Sequence, residues 1–508
     1  MPDPFSGKPD PFSGKDDLFF NLLAEAAPPL RAAFASLPAA NSASLPDNAS
    51  AVLLEVAERL GDNFPYFHPL YAGQMLKPPH PVARAAYALA MSINPNNHAL
   101  DGGRASSAME LEAVRALATM FGWNTHLGHL TSSGTFANLE ALWISSQISS
   151  QISGQISSQI ANQLRPGSRI LASEQAHYTH SRISGVLQLP FSPVATDNHG
   201  RMDMQALEDA LRAGDVGTVV VTLGATATGA VDPLDEVLAL RSRYGFRIHV
   251  DAAYGGYFTL ASTLDQRARR AFDALAEADS IVIDPHKHGL QPYGCGCVLF
   301  RDPAVGRFYK HDSPYTYFTS EALHLGEISL ECSRAGASAV ALWATQHVLP
   351  LDLGGAFSLD LDRCRRAALA LFAKLGSDDR FIPAHPPELD IVVWAVRGDT
   401  PAQSSERAGA IFHAAAARDL HLALVKLPAR FFPPGTWPAG TWPANTRAAS
   451  GEGATVTALR SVLMKPEHEA WLPRIWERLT AATAEVFLQE LPAPAPRPVP
   501  RPVPRPVL

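Results

Sequence analysis

A lysine just beyond an apolar run is a candidate nucleophile, and D-S-I-V-I-D-P-H-K-H-G at 279–289 supplies one. A strand-like run ends there and presents Asp284, Pro285, His286, Lys287 and His288 in a loop. Partial desolvation at such a place lowers an amine's pKa and makes it available for Schiff-base chemistry, although most lysines are simply solvated. The stretch R-I-H-V-D-A-A-Y-G-G-Y at 247–257 delivers Asp251 at the C-terminal end of a strand, where α/β sheets bind ligands. A carboxylate there can keep a pyridine nitrogen protonated, so that the ring accepts the electrons left by a breaking bond. Ala253 is small enough to lie beneath a flat ring, whereas a helix cap or turn is the competing reading of Asp251. In H-L-T-S-S-G-T-F-A-N-L-E-A-L-W at 129–143 a Ser/Gly/Thr turn leads into a helix. The backbone N–H groups of Ser133, Gly134 and Thr135 are the expected phosphate donors; an ordinary N-cap is the alternative. His177, in S-E-Q-A-H-Y-T-H-S-R at 173–182, follows the strand R-I-L-A-S and can stack on a ring face, although a structural or surface histidine is commoner. Amine, carboxylate, phosphate turn and stacking ring together suit pyridoxal phosphate.

Alternating elements have to position these groups. Between 130 and 301, apolar runs at 169–172, 186–190, 218–223, 247–250, 280–283 and 297–300 alternate with helical patterns that include 203–213, 233–243 and 267–278. Such alternation predicts a mostly parallel sheet covered by helices on both faces. Helices are also expected at 16–37, 51–60 and 106–121, the last capped by Ser106 or Ser107, and near 356–375 and 467–490. Residues 64–103 read as irregular. D-I-V-V-W-A-V, H-L-A-L-V-K-L and T-A-L-R-S-V-L, beyond residue 350, read as a smaller α+β domain. The expected divisions are an N-terminal extension over 1–50, an N-terminal segment over 51–105, a large domain over 106–350, a small domain over 351–490 and a Pro-rich tail over 491–508.

Repeats punctuate the chain. P-D-P-F-S-G-K occurs twice within 2–15 and reads as disordered. Q-I-S-S iterates over 145–163 and places Ile144, Ile148, Ile152, Ile156 and Ile160 four apart, as one helix stripe. G-T-W-P-A is doubled at 435–444 as a loop, and the Pro-Arg-Val tail is of polyproline-II type. None of these repeats is assigned chemistry.

The 508 residues, 46% of them hydrophobic, can bury a large core and at least one smaller one. A net charge of -7 and no basic stripe argue against a nucleic-acid partner. No apolar run is long enough to span a membrane. Four cysteines in so long a chain are no disulfide framework, and Cys295 and Cys297 read as small residues of a buried strand rather than as metal ligands. With no export signal at M-P-D-P-F-S-G-K, a cytoplasmic location is expected.

His177, Asp251 and Lys287 follow the phosphate turn in order, with Asp251 36 residues before Lys287. With T-S-S-G-T-F-A-N-L, A-H-Y-T-H-S, A-T-A-T-G-A-V-D-P-L, H-V-D-A-A-Y-G-G and D-P-H-K-H-G, the chain closely resembles the group II pyridoxal-phosphate-dependent amino-acid decarboxylases over roughly residues 60–480. The resemblance implies an α/β, aspartate-aminotransferase-like (fold type I) large domain, a small C-terminal domain and a homodimer with its active site at the subunit interface. It implies that Lys287 carries the cofactor, Asp251 pairs with the pyridine nitrogen and His177 stacks on the ring. Gly134, Thr135 and His286 would lie near the phosphate, and Thr226 or Thr228 near the ring. H-P-L-Y-A-G-Q at 68–74 matches the family's N-terminal active-site stretch. Arg460, in T-A-L-R-S-V-L-M-K-P, matches its carboxylate-binding arginine, whose planar fork suits a carboxylate. F-Y-K-H-D-S-P-Y-T-Y-F at 308–318 matches the mobile loop, with Tyr315 or Tyr317 as proton donor; Glu331, Cys332, Ser333 and Arg334 follow it, Arg334 as a structural residue. Phe136 stands where many relatives carry an acidic residue. The implied activity is decarboxylation of an L-amino acid, aromatic or acidic. A carbon–carbon lyase or aminotransferase of the same fold, or a silent binding homologue, is the alternative.

Overall fold

Seven mostly apolar segments pair into one sheet. In the computed structural model, which describes residues 15–38, 45–99, 101–156, 169–310, 328–441 and 454–489, four helices come first. These are α1 (Lys15–Ala32), α2 (Ala49–Leu60), α3 (Pro81–Met91) and α4 (Arg104–Met120). There follow β1 (Leu127–Thr131), α5 (Gly134–Ile156), β2 (Arg169–Ser173), α6 (Thr179–Val186), β3 (Phe191–Val194), α7 (Met204–Arg212) and β4 (Val216–Thr222). The sheet is completed through α8 (Leu234–Tyr244), β5 (Arg247–Asp251), α9 (Gln266–Asp273), β6 (Ser280–Ile283) and β7 (Gly296–Phe300). The spatial order is β1-β7-β6-β5-β4-β2-β3. β3, β2, β4, β5 and β6 run parallel, and β7 is antiparallel to both of its neighbours. Every residue of β4 and β6 is buried, as strands covered on both faces must be. Asp203 and Asp265 start α7 and α9 by accepting backbone N–H bonds, and Gly245, in the left-handed region, ends α8.

The chain then builds α10 (Gly336–Val348), α11 (Ala356–Gly376), β8 (Phe381–Pro383), β9 (Ile391–Val396), α12 (Pro401–Ala416), β10 (Ala423–Pro428), β11 (Thr455–Val462) and α13 (His468–Gln489). The four strands form a separate antiparallel sheet in the order β10-β11-β9-β8. The N-terminal stretch around Tyr71 is tied to it, because Ala72 N–H donates to His421 O and Val462 N–H donates to Ala72 O. A separate apolar core of α11, α12, α13 and this sheet includes Trp394, Leu459 and Leu479.

Three expectations need correction. The helix expected at 106–121 starts at Arg104 with Gly103 at the N-cap position, so Ser106 and Ser107 are buried inside its first turn and neither caps it. The run 186–190 is no strand: Val186 closes α6, Gln188 turns at φ 56, and pairing starts at Phe191. Leu187 and Leu189 still pack against the apolar cluster that includes Ile170 and Val220, which is what their apolar character serves. Within the supposedly irregular 64–103 lies α3, started by Pro81 at its first turn and by His80, whose ring accepts Val82 N–H. The second half of the Q-I-S-S repeat (157–168), most of the second G-T-W-P-A copy, the first fourteen residues and the tail lie outside the described residues, as do Tyr315 and Tyr317. All four cysteines are free thiols, and no helix among the described residues is long and apolar enough to cross a membrane.

Candidate active site

The C-terminal edge of the parallel strands opens into a cavity of about 180 Å³. Its walls bring together Ser133, Gly134, Thr135, His177, Asp251, Ala253, His286 and Lys287, all expected from sequence. Asn138, Thr226, Tyr254 and Asp284 complete much of the remainder.

Each group is delivered by an element end. β1 feeds the turn at 132–134, and α5 begins at Gly134, so the start of that helix, the positive end of its dipole, lines the cavity. Ser132 N–H donates to Glu331 Oε2 (2.8 Å), and Thr135 Oγ1 lies 3.1 Å from Thr179 Oγ1. Phe136 is turned outward and 39% exposed, so the aromatic ring in place of an acidic residue does not enter the cavity wall.

Asp251 closes β5, buried at 5% exposure. Its Oδ2 is 2.8 Å from His180 Nε2 and accepts from Asn138 Nδ2 at 3.4 Å, while Oδ1 accepts Ala253 N–H at 3.1 Å. Burial works against the ionised form, but the His180 bond and the nearby His180 and Lys287 charges outweigh it and hold the carboxyl well below the usual range. A chain of contacts stands behind: His249 Nε2 is 2.8 Å from Asn138 Oδ1, and His249 Nδ1 is 2.9 Å from Ser280 Oγ. Burial and the neighbouring His180 push the His249 pKa down to about 3. A neutral His249 then donates from Nε2 to Asn138 and accepts the Ser280 hydroxyl at Nδ1, leaving the Asn138 amide nitrogen to donate to Asp251.

β6 ends at Ile283, and the next turn carries the lysine. Lys287 Nζ is 3.1 Å from Asp284 Oδ2, and His286 Nε2 is 3.5 Å from the same oxygen. His286 Nδ1 donates to Cys295 O at 2.7 Å, which fixes the ring. Burial lowers the His286 and His177 pKa values, so both rings are neutral near pH 7. His177 lies on the wall with its ring 4.3 Å from that of Tyr178, and its Nδ1 accepts Thr179 N–H.

The two threonines separate. Thr226 lines the cavity, whereas Thr228 is buried in the turn, its hydroxyl accepting Ala230 N–H at 3.2 Å. Thr228 is therefore a turn residue here and Thr226 the one on the wall. Arg460, on β11, stands directly behind the wall: Nη1 donates to Thr226 O at 2.9 Å and Nη2 to Gln74 Oε1 at 2.5 Å. Its Nε is buried and has no hydrogen-bond partner among the described residues. Arg334 is braced structurally, with Nη1 2.6 Å from Glu110 Oε1 and 2.5 Å from Leu130 O, the residue before Thr131 at the end of β1.

His180, Asn138 and Asp284 were not singled out by sequence. Asn138 sits one helical turn after Gly134, so its position on the cavity side of α5 was available from the spacing. His180 carried no such mark beside the more conspicuous His177.

These groups fit a phosphorylated pyridine aldehyde: an amine for the aldehyde carbon, an ionised carboxylate for the ring nitrogen and a helix N-terminus for the phosphate. Comparison with known proteins agrees. Residues 63–396 match the pyridoxal-dependent decarboxylase conserved domain, and the chain belongs to that family. It is a carboxy-lyase that uses pyridoxal phosphate to decarboxylate an amino acid. An L-tyrosine decarboxylase of Enterococcus faecium is 28% identical over 445 residues, 69% of this chain and 72% of that one. A probable L-tyrosine/L-aspartate decarboxylase of Methanosphaera stadtmanae is 25% identical over 64% of this chain and 78% of its own length. Among solved structures, Oryza sativa TDC with PLP and tryptamine aligns with a TM-score of 0.71 at 18% identity, over 94% of this chain and 99% of that one. At that identity it shows the shared fold.

Proposed function

We propose that the protein is a homodimeric, cytosolic decarboxylase of an L-amino acid with an aromatic or acidic side chain, and that Lys287 is its Schiff-base lysine. The observation that carries this reading is the convergence of Lys287, Asp251 and the α5 N-terminus on one cavity. Bound pyridoxal phosphate supplies the electron sink for the pair released when carbon dioxide leaves. Ser133, Gly134 and Thr135, with His286, hold the phosphate. Asp251, kept ionised by His180 and the nearby Lys287, would hold a proton on the ring nitrogen. His177 covers one ring face and Ala253 leaves the other free of bulk. Lys287 Nζ would hold the cofactor through its aldehyde carbon, and Tyr315, Tyr317 or His177 would return a proton to Cα. Stabilising charge that develops only as the bond breaks is what accelerates such a step.

Arg460 supports a carboxylate-bearing substrate, because its buried Nε–H lacks an acceptor among the described residues. The names of the relatives support tyrosine or aspartate as the substrate. For the homodimer, α2 buries no residue and exposes Val52, Leu53, Leu54, Val56 and Leu60. An apolar face of that kind fits a second copy. The free thiols agree with a reducing compartment. We read 106–350 as the cofactor-binding domain and 351–490 as the small one.

The test offers holoenzyme L-tyrosine and L-aspartate separately and together, with mass spectrometry of products and light scattering of the same sample. One amine formed by a particle of twice the chain mass is expected. A keto acid or aldehyde, or an active monomer, overturns the corresponding part.

A further inference from the structure

Three buried polar side chains from three separate segments meet behind the cavity: Tyr254, His288 and Asp390, each at most 3% exposed. Tyr254 follows Asp251 in the chain and is itself on the cavity wall. His288 is the residue after Lys287. Asp390 comes from the antiparallel sheet, immediately before β9, and does not line the cavity. Its backbone O accepts Leu463 N–H just past β11, the strand that carries Arg460.

The Tyr254 hydroxyl donates to Asp390 Oδ1 at 2.6 Å, and His288 Nε2 lies 3.2 Å from Oδ2. Neither ring nitrogen of His288 nor Oδ2 has another hydrogen-bond partner among the described residues. Burial lowers the His288 pKa, so the ring is neutral and carries one N–H, for which Oδ2 is the acceptor within reach. The same ring stands edge-on to Tyr254 at 4.9 Å and to Phe258 at 5.0 Å, so packing and the carboxylate place it together. A buried polar cluster is weak evidence for stability, because apolar side chains of similar volume fill a core as well. What a carboxylate with two directed partners adds is register. The parts brought into register here are the segment of Asp251, the turn of Lys287 and the sheet of Arg460.

We propose that Asp390 is a positioning residue for Lys287: through His288 it fixes the lysine turn against the antiparallel sheet, so that Nζ is aimed at the cofactor's aldehyde carbon. Tyr254 anchors the same carboxylate to the cavity wall. The inference rests on the reading of Lys287 as the Schiff-base lysine and adds a residue that acts on it from outside the cavity.

The experiment is a double-mutant cycle on the full chain. Affinity for pyridoxal phosphate is measured by fluorescence for the parent protein, Asp390→Leu, Lys287→Ala and Asp390→Leu/Lys287→Ala, with denaturant melts of each. A residue that acts through Lys287 should weaken binding about tenfold in the parent chain and by less than about twofold once the lysine is gone. Borohydride reduction and peptide mapping should find less cofactor fixed on Lys287 in Asp390→Leu than in the parent. Asp390→Asn, whose amide accepts from Tyr254 and donates to the other tautomer of His288, should return affinity to within about threefold of the parent. If Asp390→Leu does not fold, His288→Leu, which leaves the Tyr254 bond in place, enters the same cycle with the same expectation. Equal loss with and without Lys287, or no loss in either, overturns the inference while the parent still carries reduced cofactor on Lys287. A borohydride-treated parent with no cofactor on Lys287 overturns the Schiff-base reading itself, and the inference with it.

Discussion

Replacing His180 by leucine tests how the carboxylate of Asp251 is kept ionised. His180 is fully buried, and its Nε2 lies 2.8 Å from Asp251 Oδ2. A hydrogen bond to a charged group contributes about 1.5–3 kcal/mol. Its loss raises the Asp251 carboxyl towards the ordinary carboxylate range. What would remain on Oδ2 is the longer Asn138 contact at 3.4 Å, too weak to offset burial. The folded carboxyl lies below its unfolded value, so it contributes stability above the ordinary carboxylate range and loses it as the pH falls through the folded value. In His180→Leu that loss moves upward in pH. The assay is fluorescence titration of the apoprotein with pyridoxal phosphate across the acid range, with denaturant unfolding alongside. We expect the acid limb of binding to shift towards neutral pH, affinity near neutrality, where the carboxyl stays ionised, to change little, and His180→Gln, which can still donate, to recover part of the shift. An acid limb in His180→Leu that matches the parent protein would show that the contact does not govern Asp251.

Two further expectations concern the support of the site. Glu140 is fully buried beside His129 (2.9 Å), and burial pushes its carboxyl up to about 8. The folded state therefore binds its proton more tightly, and stability should fall by about 1.4 kcal/mol per pH unit between the unfolded value and about 8. Glu140→Gln should flatten that slope in denaturant melts; an unchanged slope would place the titration elsewhere. Arg334 and Glu110 form a buried pair at 2.6 Å, so Arg334→Met should cost about 3–5 kcal/mol and Glu110→Gln in the same chain should restore part of it. A loss within the range of a surface change refutes the bracing role.

Much of the site could be read from short motifs because catalytic groups of an α/β sheet stand at strand ends, where an apolar run stops. That logic found Asp251 after R-I-H-V and Lys287 after S-I-V-I. It did not find His180, whose importance comes from α6 swinging its ring onto the end of β5, two strands away in the sheet. Nothing in the sequence marks Asp284 for a role; its contact with Lys287 Nζ exists only in the folded turn after β6. Between Thr226 and Thr228 the sequence gives no choice, for a similar reason: the turn from Gly224 to Ala230 folds back on itself, with Ala225 N–H bonded to Ala230 O, and it is this turn that puts Thr226 on the cavity wall. At 186–190 the hydrophobic run was real, but a helix end and a turn used it instead of a strand. α3 was hidden by the prolines that precede it, although Pro81 at a helix start is a stabilising choice.

The most direct test of the central claim is release of labelled carbon dioxide from carboxyl-labelled L-amino acids by the holoenzyme and by Lys287→Ala. The account predicts label in carbon dioxide, with the matching amine, from the parent protein, and none from the variant. Equal release from both, or an amino acid converted with its carboxyl label retained, would contradict it.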